Sequence, residues 1–151
     1  MKELEHIQKC ERGLVQTWKY FSISPLKTAK LKEVQAADGD SSVRKLAKAC
    51  RTRWLSHGAA VIAMKEEHSA VYTTLNYFAS EKKDCTASGI LDLICSKLFL
   101  FSLYLLNAVL KHLNKLSMLL QKGSFNFSHI QSSLSLCQKE IKNIADSDQV
   151  C

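Results

Sequence analysis

The sequence predicts an all-α protein, on three observations. Apolar residues recur at intervals of three and four over most of the chain. One proline and five glycines in 151 residues are too few for the many tight turns of a β-sandwich or barrel. No stretch holds an alternating apolar–polar pattern long enough to read as a strand. An apolar content of 46% places the chain among globular rather than disordered proteins. The length suits one domain with its own core. The expected architecture is five or six helices packed around a long apolar central helix. They form a single helical domain over residues 1–145, with 146–151 as a frayed tail.

Each element has its own warrant. Leu4, Ile7, Leu14, Val15, Trp18 and Phe21 keep helical spacing over 3–21 and mark one apolar stripe. Ser24-Pro25 restarts the chain as a second helix to about Gln35. Serine there caps, and proline sits where its missing N–H costs nothing. Residues 37–42 (Ala37-Asp38-Gly39-Asp40-Ser41-Ser42) are turn formers and read as a loop. Residues 43–50 fit either a short basic helix or an extended lead-in.

The helical pattern returns over 53–79, with Thr52 as its cap and Trp54, Leu55, Val61, Ile62, Val71, Tyr72, Leu75 and Phe78 as its stripe. Lys65, Glu66 and Glu67 take the polar side. Gly58 is either a soft spot of roughly 1 kcal/mol in that helix or a point of close backbone approach. A polar connection over 81–88 leads to the longest pattern, 90–121. Its run LFLFSLYLLNAVL (98–110) is apolar nearly all round. At ~1.5 Å per residue it covers only ~20 Å, short of a ~30 Å hydrocarbon core, so it reads as a buried central helix and not a membrane span. Gly123 suits a helix stop. Ser128 then caps a last helix through about Ile144, with the stripe Ile130, Leu134, Cys137 and Ile141.

The net charge of +7 is unevenly spread. Residues 1–53 hold twelve Lys/Arg against six Asp/Glu, whereas 54–151 hold nine against eight. Arg44, Lys45, Lys48, Arg51 and Arg53 form the densest basic run, with no acid among them. Such a run is either a solvated face or a surface that attracts phosphate through counterion release.

Catalytic chemistry is not visible. Six cysteines are scattered without CxxC or CxxH spacing, and no secretory leader pattern opens the chain, so free thiols in a reducing, intracellular compartment (nuclear or cytoplasmic) are expected. Asp38 and Asp40 fit turn chemistry better than a metal pair. His57, His68, His112 and His129 lack HExxH-type partners. No phosphate loop or GxSxG motif occurs. The expectation is no catalytic residue, no metal ligand and no cofactor.

Three stretches in order carry a family resemblance. Lys48-Ala49-Cys50-Arg51-Thr52-Arg53-Trp54-Leu55-Ser56 resembles the (K/A)CxTRWLS segment of hAT-superfamily transposases and the domesticated proteins derived from them. Upstream, Leu14 to Phe21 followed by Ser24-Pro25 resembles the family's LWxFFxxSPKR stretch. Downstream, residues 113–121 (LNKLSMLLQ) resemble its LNxLSLxLQ helix. Together they cover about 3–145.

The resemblance implies the middle of an RNase H-like domain with its helical insertion. It also implies that the family's metal-holding acids lie outside this stretch: two aspartates and a CxxH before Met1, and a glutamate after Cys151. Activity is therefore not carried over. The family's DNA-end-facing pair maps onto Arg53 and Trp54, which implies phosphate contact by Arg53 and base stacking by Trp54. The residues themselves equally allow Trp54 to be a core anchor at a helix start. Two roles are expected as alternatives. One is DNA binding through Arg44, Lys45, Lys48, Arg51, Arg53 and Trp54. The other is a helical module that binds a protein partner or itself through an exposed apolar face. A remnant without selected function is the third.

Overall fold

A computed structural model describes the backbone of residues 2–37, 45–49, 54–121 and 127–147, and the side-chain surroundings of 5–37, 45–49, 57–121 and 130–146. Within these the chain is all-α. Seven helices follow in order: α1 (Lys2–Ser22), α2 (Pro25–Ala37), α3 (Trp54–Glu66), α4 (His68–Ser80), α5 (Cys85–Ile94), α6 (Lys97–Gln121) and α7 (Phe127–Ser147). Helix α6 occupies the centre and packs on α1, α3, α5 and α7, while α4 bridges α2 and α5. Phe99, Leu103 and Leu110 of α6 meet Cys10 and Leu14 of α1, Val61 and Met64 of α3, and Ile90 and Ile94 of α5 in one core.

The helices outnumber the five or six expected because two long patterns each break once. The pattern over 53–79 divides at Glu67, whose backbone leaves helical geometry (φ −96°, ψ 9°). Glu67 does not join the polar side as its neighbours predict. It is 8% exposed and accepts a 2.7 Å hydrogen bond from Gln35 Nε2 of α2. A carboxylate turned inward needs such a donor.

The second break separates α5 from α6, which meet at 61°. Ser96 makes the corner: its hydroxyl donates to Leu93 O at 2.8 Å and accepts from Phe99 N at 3.2 Å, capping α6. The polar connection expected over 81–88 is also shorter than its composition suggests. Asp84 caps α5 by accepting from Thr86 N (2.9 Å) and Ala87 N (3.3 Å), so the helix begins at Cys85. Among the described residues no single helix is long and apolar enough to cross a membrane.

The restart at Ser24-Pro25 forms as expected, with Thr28 N bonded to Ser24 O at 3.0 Å. The stripe of α1 is rotated from expectation. Cys10, Leu14, Thr17 and Phe21 are buried, whereas Ile7 and Val15 are exposed and Trp18 is half-buried. Gly13 explains the rotation: a Cβ there would stand 2.5 Å from Phe99 Cε2, so α6 approaches α1 along the glycine side. At Gly58 the close neighbour is a side chain and not the expected backbone, since a Cβ would overlap the Asn114 carboxamide. The cap at Thr52, the loop at Asp38 and Asp40, and Gly123 lie outside the described residues. The last helix begins one residue before Ser128 and runs to Ser147.

Candidate nucleic-acid interface

Of the six residues expected to contact DNA, Lys45 and Lys48 are described. Arg44, Arg51 and Arg53, and the side chain of Trp54, lie outside the described residues. Residues 45–49 form a short non-helical strap, so the basic helix is excluded over these five residues. Its apolar members turn inward: Ala49 is buried, and Leu46 and Ala47 pack against the core. Its two lysines turn outward and are exposed. Apolar burial thus fixes the backbone and leaves the cations facing water.

Helix α1 supplies the rest of this face. Lys48 Nζ stands 5.2 Å from the centre of the half-buried Trp18 ring. Beyond the strap, a groove of about 620 Å³ runs along the outer face of α1, lined by Arg12, Gln16, Lys19, Ala49 and His57 among others. Arg12 and Lys19 are seven residues apart, two helical turns, and so project from one face. On the other side of Trp18, Lys32 and Lys45 flank a crevice of about 180 Å³ with Phe21, Leu31 and Leu46 among its walls.

Among the described residues, none of Arg12, Lys19, Lys45 or Lys48 takes part in an ion pair. One acid, Glu11, also lines the α1 groove, with its Oε1 3.4 Å from His57 Nε2. Arg12, Trp18 and Lys19 were not among the expected site residues. Arg12 and Lys19 were readable in the α1 pattern, where they lie opposite the buried stripe; Trp18, half-buried beside that stripe, was not.

Away from this face, His112, Ser133, Cys137 and Glu140 line one crevice between α6 and α7. Among the described residues no three His, Cys, Asp or Glu side chains are placed to share a metal ion. Two histidines do have acid partners, at separations no local motif would reveal: His57 with Glu11, and His112 with Glu140. Burial, reinforced by the negative charge of Glu11, pushes the Cys10 thiol up to about 12 and makes it inert. No protein-family model, curated protein or solved structure matches the chain.

Proposed function

We propose that this chain is a non-catalytic hAT-transposase-like helical domain, of the kind found in the middle of an RNase H-like domain, that binds DNA through a basic face. The face comprises Lys45 and Lys48 of the strap with Arg12, Lys19 and Trp18 of α1. In sequence it continues into Arg44, Arg51, Arg53 and Trp54. One observation carries the reading: the strap is clamped by Leu46 and Ala49, yet presents both of its lysines to solvent beside an indole. Cations without acid partners among the described residues suit a polyanion, because phosphate contact releases condensed counterions and breaks no described ion pair. The described cysteines are all unpaired, which fits the reducing interior of a cell, nucleus or cytoplasm. The test is fluorescence anisotropy of a labelled duplex at low salt. Wild type binds, and Lys45→Glu with Lys48→Glu abolishes binding without loss of helical circular dichroism.

A second reading, a helical module for protein contact, is favoured by a separate observation. Met118, Leu119, Leu134 and Leu136 are exposed on the α6–α7 hairpin, far in sequence from the basic face.

A further inference from the structure

We infer that His57 is a phosphate-binding residue at the back of the α1 groove, and that the Glu11 carboxylate covers it until a phosphate group displaces the acid. His57 is 7% exposed, and its Nε2 is buried without a hydrogen-bond partner. A buried ring nitrogen left unpaired costs free energy, so such a group calls for a reason. Its surroundings point to the groove. His57 and Glu11 both line it, and Glu11 Oε1 stands 3.4 Å from Nε2, beyond the ~2.7–3.2 Å range of an N–H···O bond.

The acid is loosely held. On the surface of α1, the positions three and four residues from Glu11 are Ile7, Gln8, Leu14 and Val15, none of them a cation. The Glu11 side chain is 27% exposed against 9% for His57, so the carboxylate can swing into water while the imidazole stays in place. The exchange breaks no hydrogen bond between them.

Charge and size name the occupant. Glu11 is the one acid among the described residues lining the groove, whereas Arg12 and Lys19 are exposed cations without an ion pair among the described residues. The groove's volume of about 620 Å³ admits a phosphate together with the sugar it is attached to. A phosphate group offers several acceptor oxygens, so one can take the His57 Nε2–H while another meets Arg12 or Lys19. Such charge-assisted bonds are shorter and stronger than the present contact with Glu11. Two sources supply this chemistry. One is a DNA backbone, for which the inference rests on the DNA-binding reading above; the other is free inorganic phosphate.

Two experiments on the full chain test this. The first is a double-mutant cycle read by anisotropy with a labelled duplex. Glu11→Gln is expected to raise affinity about tenfold in the wild-type background, and about threefold or less where His57→Phe has removed the ring nitrogens. His57→Phe alone loses about tenfold with unchanged circular dichroism, and His57→Gln, which keeps an N–H donor, loses less. Equal gains from Glu11→Gln in both backgrounds reflect general charge alone and overturn the inference. The second experiment follows the imidazole signals of isotope-labelled chain by NMR, with the His57 signal identified by its loss in either His57 variant. The duplex is expected to shift that signal, and inorganic phosphate to shift it at lower concentration in Glu11→Gln than in wild type. A His57 signal that responds to inorganic phosphate in a chain that binds no duplex keeps the site and overturns the DNA reading. A signal that duplex and inorganic phosphate both leave unmoved overturns the inference, even where the duplex binds elsewhere on the basic face.

Discussion

The ammonium of Lys48 sits 5.2 Å from the centre of the Trp18 indole, joining the strap to the outer face of α1 across thirty residues of sequence. This contact sets the position of the strap's outer cation without neutralising it. At an exposed site a cation–π contact is worth only about 0.5–1 kcal/mol, so it orients more than it stabilises. Lys48→Ala is therefore expected to change the unfolding free energy by no more than about 1 kcal/mol, while lowering the salt slope of DNA binding by about one. Parallel urea melts and anisotropy titrations check both halves.

Two glycines make opposite predictions. At Gly13 an added methyl group meets the edge of Phe99, a ring buried in the core with no room to withdraw. Gly13→Ala should cost about 1–3 kcal/mol, the usual price of overpacking. At Gly58 the obstacle is the end of the half-buried Asn114 side chain, which can swing aside. The helix gains roughly 1 kcal/mol from Gly→Ala, offsetting much of that displacement. Gly58→Ala should stay within about 1 kcal/mol of wild type. Chemical denaturation of the two variants separates these outcomes.

Asp84 makes acid the weak condition for the packing of α1, α2 and α5. Its Oδ2 accepts from Lys27 Nζ and from the Tyr20 hydroxyl, each at 2.9 Å, while Oδ1 caps α5. The Lys27 bond, helped by Tyr20 and the backbone N–H groups of Ala87 and Thr86, outweighs partial burial and holds the carboxyl down at about 2. Burial first, then the bond to Asp84, keeps the Tyr20 hydroxyl protonated well above its usual range. Because the folded carboxyl titrates below its unfolded value of about 3.9, its stabilisation is complete above about pH 4 and is lost as pH falls through about 2. Asp84→Asn should be about 1 kcal/mol less stable at neutral pH, the partial exposure limiting the effect. The gap should close near pH 2, as thermal melts at both pH values will report.

What the sequence made legible was local. Ser24-Pro25 announced the α1–α2 corner because cap and proline chemistry is written in adjacent residues. Helical periodicity gave the class and the central place of α6. The breaks at Glu67 and Ser96 were hidden, because each depends on a bond or bend that periodicity does not encode. Gln35 reaches Glu67 from another helix, and Ser96 reads as one more polar residue in an otherwise helical pattern. The rotation of the α1 stripe was hidden for a similar reason. Gly13 lets α6 come close on a side where apolar counting favours Val15 and Ile7. At the candidate interface, the basic run was visible as composition, and its lysines do face solvent. Arg12 and Lys19 could be read on the polar side of the α1 pattern, whereas the contribution of Trp18 became visible only once the strap was laid against α1.

The central claim, that this is a phosphate-binding face, is tested most directly by the salt dependence of DNA affinity. Anisotropy titrations of a labelled duplex at several salt concentrations give the slope of log K against log salt. Each phosphate neutralised contributes about −0.9, so two or more contacts from Arg12, Lys19, Lys45 and Lys48 predict a slope of about −2 or steeper. The charge-reversed Lys45→Glu, Lys48→Glu protein should fail to bind. A wild-type chain that shows no binding at low salt, or binds with a slope near zero, would contradict the account.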